Sequence, residues 1–443
     1  MAGSTMQLSL VYIGVVAILI FIMPLIIATQ ATDTSKAIEG FATDPNAYKQ
    51  DATYKAQVKA LSDRYSPSAS AKRPVSDLLP KTISTGFMKD YEQNFVNFYS
   101  LGCRYTGYIG PMNDGYFDAD IAVQNSVNAG CRTFVLDIDY INDCKGENIQ
   151  YYPRLVVRDI QGKLIMNYKS DLPTCNSARH SNLKDVCDKI NFYAFSEACQ
   201  NRSDPVIIVL YFQRQPPGSY KSKPVLDYYS NVAKCLASFQ DRFIENELDG
   251  GTFFRQKQEG RLLINKITDY NGKVLIFSNA NTSGFRETQI YSPMDDLDFL
   301  VNLRLSYTQT KLGVTENDSG ALFGILETAE DYMIIPSTRT DEVAENMKLK
   351  WSICLSQDPT KPVSADTFYT ITNAFGINCV PISIFDNANS FMFTDNTFKT
   401  YSFIPKAERL RYEKPPVVTP AEPSPLTDHK QGKLRAPTVG GGY

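Results

Sequence analysis

The sequence predicts an α/β fold, a closed (β/α)8 TIM-like barrel, on three observations. Short apolar runs rich in β-branched residues, such as "VIIVLYF" from Val206 and "KVLIFSN" from Lys273, alternate with stretches of helical period. These runs are apolar throughout, which suits strands covered on both faces and therefore parallel strands joined by helices. Roughly eight of them fall within about 310 residues, the number that closes such a barrel; an open doubly wound sheet is the second solution.

Taken in chain order, the first element is a membrane span. No side chain from Met1 to Thr32 is charged, and Leu10 to Ala28 is almost wholly apolar. At helical rise that stretch is about 28 Å long, close to the thickness of a bilayer core. A cleaved signal peptide is the rival, but the segment before the apolar run carries no Lys or Arg and the run is long for one. Residues 1–32 are thus expected to be a single-pass transmembrane anchor whose partner is the lipid bilayer. The nearby cation, Lys36, gives only a slight bias toward a cytosolic main domain.

Residues 33–90 hold small and polar residues, including "SPSASAKRP", and read as a stalk with short helical hints such as "YKAQVKALSDRY". The barrel is expected over 91–410. Near its start, Asp118 or Asp120 can cap a helix running to Asn128, with Gly130 in the left-handed position that ends it. In the strand that follows, alternation sends Phe134, Leu136 and Ile138 to one face and Val135, Asp137 and Asp139 to the other. Carboxylates near the C-terminal end of a barrel strand lie where catalytic groups collect, although pairing with a Lys or Arg is the plainer alternative. Leu183, Val186, Cys187 and Ile190 then line one helix face before Pro205 opens "VIIVLYF", and Val232, Leu236, Phe239 and Phe243 line another helix. Further strand candidates are "GRLLINKI", "KVLIFSN", "DFLVNLRLSY", "DYMIIP", "LKWSICL" and "CVPISIF". Residues 411–443 are rich in Pro and Gly and form an extended tail without a fold of its own, able to lie along a neighbouring protein.

Composition narrows the function. With 43% apolar and 12% aromatic residues the chain supports a packed core, and a net charge of -3 lacks the polycationic footprint of a nucleic-acid binder. Nine cysteines contain no C-x-x-C pair, which argues against a zinc cluster, and their odd count suits reduced thiols. Cys131 and Cys187 sit on apolar faces without a partner His, so a structural role outweighs a nucleophilic one. No cofactor is implied.

Several segments, in order, resemble the phosphoinositide-specific phospholipase C family. "NSVNAGCRTFVLDID" resembles its helix, Gly-Cys-Arg and "ELD"-type strand. "YPRLVVRD" looks like its next strand, and "LKDVCDKINFYAFSEACQNRSDPVIIVLYF" is similar to its helix, "YAF" and "YPVILSLE" strand. "YNGKVLIFSN", "IIPSTRTD", "NCVPISIF" and "FIPKAERLR" are similar to later elements, so the likeness spans about residues 95 to 410. The resemblance implies a phospholipase-C-type barrel.

The resemblance also implies which residues to inspect. Family members use two histidines, one taking a proton from the inositol 2-hydroxyl and one giving a proton to the leaving oxygen. This chain has two histidines, His180 and His429, and neither falls at those positions. Cys103 and Arg104 lie near the first and Val157 or Arg158 at the second. Of the metal-binding carboxylates only Asp137 corresponds, with Asp139 nearby; Val135 and Tyr211 stand where glutamates would, and Phe277 and Asn279 where lysines hold phosphates. Asp137, Asp139, Val135 and Tyr211 therefore read as a vestigial site, with neither a metal nor a catalytic residue expected.

The expectation is a membrane-anchored pseudoenzyme of this class, used as a structural or binding module. Proteins of this barrel class with an N-terminal anchor occur among large DNA viruses, so the resemblance implies a virion membrane as one setting. Two alternatives stay open. One is an active phosphoric diester hydrolase with His180 as base and Arg158 in place of the metal. The other is a non-cleaving phosphoinositide or anion sensor, with Arg104, Arg158 and Arg339 around one phosphate.

Overall fold

The computed structural model describes residues 47–66, 72–111, 115–141, 151–158, 182–244, 256–257, 261–288, 290–306, 323–358, 361–386 and 398–413. The expected anchor, the tail beyond Glu413 and both histidines lie outside them. No helix among the described residues is long and apolar enough to cross a membrane.

The described residues form ten strands: β1 (Phe98–Ser100), β2 (Gly102–Arg104), β3 (Thr133–Ile141), β4 (Tyr152–Leu155), β5 (Val206–Phe212), β6 (Val274–Ser278), β7 (Leu303–Arg304), β8 (Gly324–Thr328), β9 (Trp351–Leu355) and β10 (Phe403–Pro405). β2, β3, β5, β6 and β7 pair in that order, all parallel, and β8 pairs parallel with β9. Single parallel bridges supply the missing links. Ser306 joins Ile325, carrying β7 onto β8; Ile353 joins Cys379; and Ile382 joins Cys103 on β2. The segment from Cys379 to Ile382 is thus the last stave, and the ring closes on itself. Closure leaves the ring itself without a free edge.

Alternating side chains divide the core in two. Val135, Val209, Phe277, Leu303, Leu326, Trp351 and Ile353 share one apolar cluster inside the ring, with the Phe277 and Trp351 rings 4.7 Å apart edge to face. Val75, Leu79, Phe95 and Phe98 belong to the same cluster. They come from the chain just before β2, where β1 pairs antiparallel with β10, so they plug the end at which the staves begin. Phe134, Leu136, Ile138, Ile208 and Ile276 face outward and pack under the helices.

The helix expected after Asp118 or Asp120 runs Ala119–Ala129. Asp118 is its cap, its Oδ1 accepting from the amides of Asp120 and Ile121 at 3.1 Å each, and Gly130 ends the helix at φ 95°. A side chain at Gly130 would be strained in φ and would meet Lys72 at 2.4 Å. The first amphipathic helix forms over Asn182–Ala194, but the second ends early: Lys223–Cys235 holds only Val232 of the expected face, Leu236 caps it, Phe239 lies in the 3-10 turn Ala237–Arg242 and Phe243 follows that turn.

Several expectations need correction. "DYMIIP" is not a strand: Ala329–Met333 is helical, and the stave is the preceding "GILET" of β8. A short apolar run has no period long enough to separate the two states, and a strand holding Gly, Glu and Thr is diluted below notice. "GRLLINKI" forms two 3-10 turns, Arg261–Leu263 and Ile267–Tyr270, and "DFLVNLRLSY" is a helical turn, Leu297–Leu300, followed by β7. "YPRLVVRD" supplies β4, but as an antiparallel partner of the far end of β3, outside the ring.

The described part of the expected stalk packs on the barrel. The helix Ala52–Arg64 buries Tyr54 and Leu61; Tyr54 donates to Asp118 Oδ2 at 2.7 Å, and Tyr65 donates to the Ile384 carbonyl at 3.0 Å. One carboxylate therefore caps a barrel helix and fastens the N-terminal one. Asp118→Ala is expected to destabilise by about 2 kcal/mol, a lost cap plus a stranded tyrosine hydroxyl. Urea denaturation checks it, with Tyr54→Phe expected to cost about half as much.

Candidate functional site

The C-terminal ends of the first three staves meet at a cluster of charge. Arg104 pairs in register with Val135, and Asp137 with Tyr211. In adjacent parallel strands such partners point the same way, so Arg104, Val135, Asp137 and Tyr211 all face the lumen. Val135 is fully buried in the apolar layer, and Asp137 stands one layer above it.

Arg104 and Asp137 form a two-pronged pair. Arg104 Nη2 donates to Asp137 Oδ1 at 2.7 Å, and Nε lies 3.1 Å from each carboxylate oxygen. Gln213 Nε2 adds a bond to Oδ1 at 2.9 Å, and Arg104 Nη1 donates to the Ser356 carbonyl at 3.0 Å. The guanidinium lies 4.8 Å from the Tyr105 ring centroid and 5.4 Å from that of Tyr211, so two aromatic rings hold it. Burial, the largest effect, works against the cation, but the Asp137 carboxylate together with Tyr105 and Tyr211 drives the Arg104 pKa up. Arg104 and Asp137 side chains are only 9% and 3% exposed, which makes this a buried ion pair.

A second cluster lies two residues further along β3. Asp139 is fully buried, its Oδ2 accepting from Arg158 and its Oδ1 from Arg214 Nε at 2.5 Å. Arg214 also lies over the Tyr140 ring, 4.1 Å from its centroid, and donates to the Tyr140 carbonyl at 3.1 Å. Tyr105, which ends the first stave, takes φ 60°, a left-handed conformation uncommon for a non-glycine residue. Its buried hydroxyl and the Gln213 Oε1 have no hydrogen-bond partner among the described residues.

The structure thus joins most of the inspected residues and separates one. Arg104 and Arg158 do not converge on a shared anion space; each is bound to its own aspartate. Arg339 is 61% exposed, pairs with Glu342, and lines a different cavity beside β8. Three arginines around one phosphate is therefore not the arrangement found. Val157, at the other inspected position, is fully buried, while His180 lies outside the described residues.

Sequence reasoning missed Gln213 and Arg214. The signal was present, since both directly follow a strand whose C-terminal end opens on the mouth. It could not show that Arg214 reaches Asp139, which is 75 positions away in the chain.

Chemically, the cluster does not fit a calcium ion. Asp137 Oδ1 already accepts from Arg104 and Gln213, both Asp139 oxygens accept from arginines, and the other two inspected positions are Val135 and Tyr211. A site of six to eight oxygens cannot be assembled from such a set. Among the described residues no group of three His, Cys, Asp or Glu side chains has metal-site geometry. Described cysteines are all free thiols, Cys131 and Cys187 fully buried, and burial, the largest cause for each, pushes both thiols up in pKa, away from the thiolate.

No protein-family model matches the sequence, and no curated protein is similar to it. Among solved structures the chain is similar to the crystal structure of L. pealei PLC21, at 14% identity and a TM-score of 0.46, covering 73% of this chain and 38% of that one. S. officinalis PLC21 gives 11% identity and a TM-score of 0.43, covering 75% and 41%. A calcium-dependent phosphoinositol-specific phospholipase C from a Gram-negative bacterium, Pseudomonas sp., gives 13% and 0.41, covering 73% of this chain and 99% of that one.

Proposed function

We propose that this protein is a non-catalytic barrel, held at a membrane by Leu10 to Ala28 and used as a structural or binding module. One observation carries the non-catalytic part: the place where a phosphodiesterase of the resembled class would need acids, bases and a cation is filled by ion pairs. Arg104 closes on Asp137, and Arg158 and Arg214 close on Asp139. Guanidinium stays protonated in proteins, so these arginines can hold charge but cannot relay a proton near neutrality. Carboxylates already engaged by cations are equally unavailable as metal ligands or general bases. The membrane setting rests on the apolar length of the N-terminal segment alone.

Hydrolysis assays with vesicles of phosphatidylinositol and of a bisphosphorylated phosphoinositide test the proposal. No turnover above background is expected from the full-length protein, with or without calcium. Turnover that Asp137→Asn abolishes would overturn it.

A second reading, anion binding without cleavage, is favoured by one feature. The Arg158 and Arg214 side chains are 20% and 39% exposed, so two guanidiniums reach solvent at the mouth. Binding to phosphoinositide vesicles that Arg158→Ala leaves unchanged would remove that reading.

A further inference from the structure

We propose that the cavity beside the helix Lys223–Cys235 binds a neutral, polyhydroxylated ring, a sugar in its pyranose form. The cavity is about 510 Å³, an ordinary volume for a small-molecule site, and shares no lining residue with the ion-paired mouth. One wall is a single face of that helix, on which Lys223, Asp227, Ser230, Asn231 and Lys234 recur at helical spacing. Tyr151, which leads into β4, faces it together with Ile290, Tyr291 and Asp295.

The wall is polar, and its groups divide into those already engaged and those still open. Lys223 and Asp227 are spent on each other at 2.5 Å, and the Tyr291 hydroxyl donates to the same carboxylate at 2.8 Å. Ser230 is the opposite case. It is only 2% exposed and its hydroxyl makes no hydrogen bond among the described residues, yet that hydroxyl stays within reach of a water molecule at the cavity surface. The Asn231 amide and the Lys234 ammonium, on the same face, likewise bond no other side chain among the described residues. A hydroxyl and an amide each donate and accept, as every sugar hydroxyl does, so a polyol can satisfy the set without bringing charge.

Charge and shape favour the same class. Two lysines and two aspartates line the cavity, so an ionic body meets a like charge as often as an opposite one. A pyranose carries aliphatic C–H faces between its hydroxyls, and tyrosine rings supply the apolar, electron-rich surface that suits them. Both rings are held in place: Tyr151 lies edge to face on Tyr140 at 4.9 Å, and Tyr291 on Phe285 at 5.1 Å.

The test uses full-length protein in a detergent without a sugar headgroup, labelled with 13C at the isoleucine δ1 methyls so that Ile290 reports on this cavity. The probes are the methyl glycosides of glucose, galactose, mannose and N-acetylglucosamine, with glucuronate and glucosamine as charged controls. A saturable shift of the Ile290 methyl is expected with at least one glycoside, with about fivefold weaker binding in Ser230→Ala, the effect of one neutral hydrogen bond. Asn231→Trp, which fills the cavity, is expected to abolish the shift. No saturable shift with any glycoside, unchanged binding in Ser230→Ala, retained binding in Asn231→Trp, or tighter binding of either charged control would each overturn the proposal. Ser230→Ala removes one oxygen and favours the helix, so its result stands even if Asn231→Trp does not fold.

Discussion

Asp137→Ala is expected to destabilise the protein by about 3–5 kcal/mol, because it strands the Arg104 guanidinium in a site that is nearly dry. The whole stability of a folded domain is about 5–15 kcal/mol, so the variant should melt far earlier or fail to accumulate. The double variant Arg104→Met, Asp137→Leu should recover most of the loss, since exchanging a buried pair for apolar side chains of similar size is often neutral. Urea denaturation of parent, both single variants and the double variant gives the coupling. Its sign separates two kinds of site. Carboxylates held ready for a metal repel their surroundings, and removing one is commonly neutral or stabilising. A carboxylate already spent on an arginine is structural, and removing it is destructive. A stable Asp137→Ala protein would therefore contradict both the ion pair and the non-catalytic proposal built on it.

Lys406 gives the second large effect. It is fully buried at the plugged end of the barrel, beside the last strand, β10, and among the described residues its ammonium bonds only Asn378 Oδ1, at 3.1 Å. Burial lowers its pKa to about 7. An unfolded lysine keeps its proton to about pH 10.4, so between pH 7 and that value the unfolded chain binds more protons than the folded one. Stability should therefore rise with pH across that window, with a cost of roughly 4 kcal/mol fully present below pH 7. Lys72, lowered to about 8 by burial, adds to the same trend, whereas Asp204, raised to about 6 by burial, acts with the opposite sign, stability falling as pH rises through about 4 to 6. The difference between parent and Lys406→Met isolates the one residue. The variant should be more stable at pH 6, by up to a few kcal/mol, and lose most of its advantage by pH 10. Asn378 Oδ1 keeps the Ser352 amide at 3.1 Å as a donor, so the methionine orphans nothing there. A Lys406→Met protein less stable than the parent at pH 6 would show that the ammonium is solvated or paired in solution.

Much of the fold is legible in local sequence. A helix between Asp118 and Gly130 follows from a capping carboxylate and a residue free to take positive φ, and both act within a few positions. The alternation that puts Val135, Asp137 and Asp139 on one face of β3 is a property of the extended chain itself. Apolar runs such as those of β3, β5, β6 and β9 imply a sheet covered on both sides, and their parallel pairing agrees, although two of the expected runs are not strands. Where the local signal is weak, as at β8 with its Gly, Glu and Thr, the neighbours decide. Its strand state is set by pairing with β9 and Ser306, not by its own propensity.

By itself, then, the sequence determined the class of fold, most of the parallel strands and the capped helix before β3. Only the tertiary structure decided what the remaining charged groups do. Asp137 could have held a cation, a phosphate-binding arginine or a structural one. The choice fell to Arg104 because the parallel pairing of β2 with β3 sets both side chains in the lumen, between two aromatic rings. Ion pairing depends on distance through space, and residues 33 and 75 positions apart carry no local mark of being neighbours.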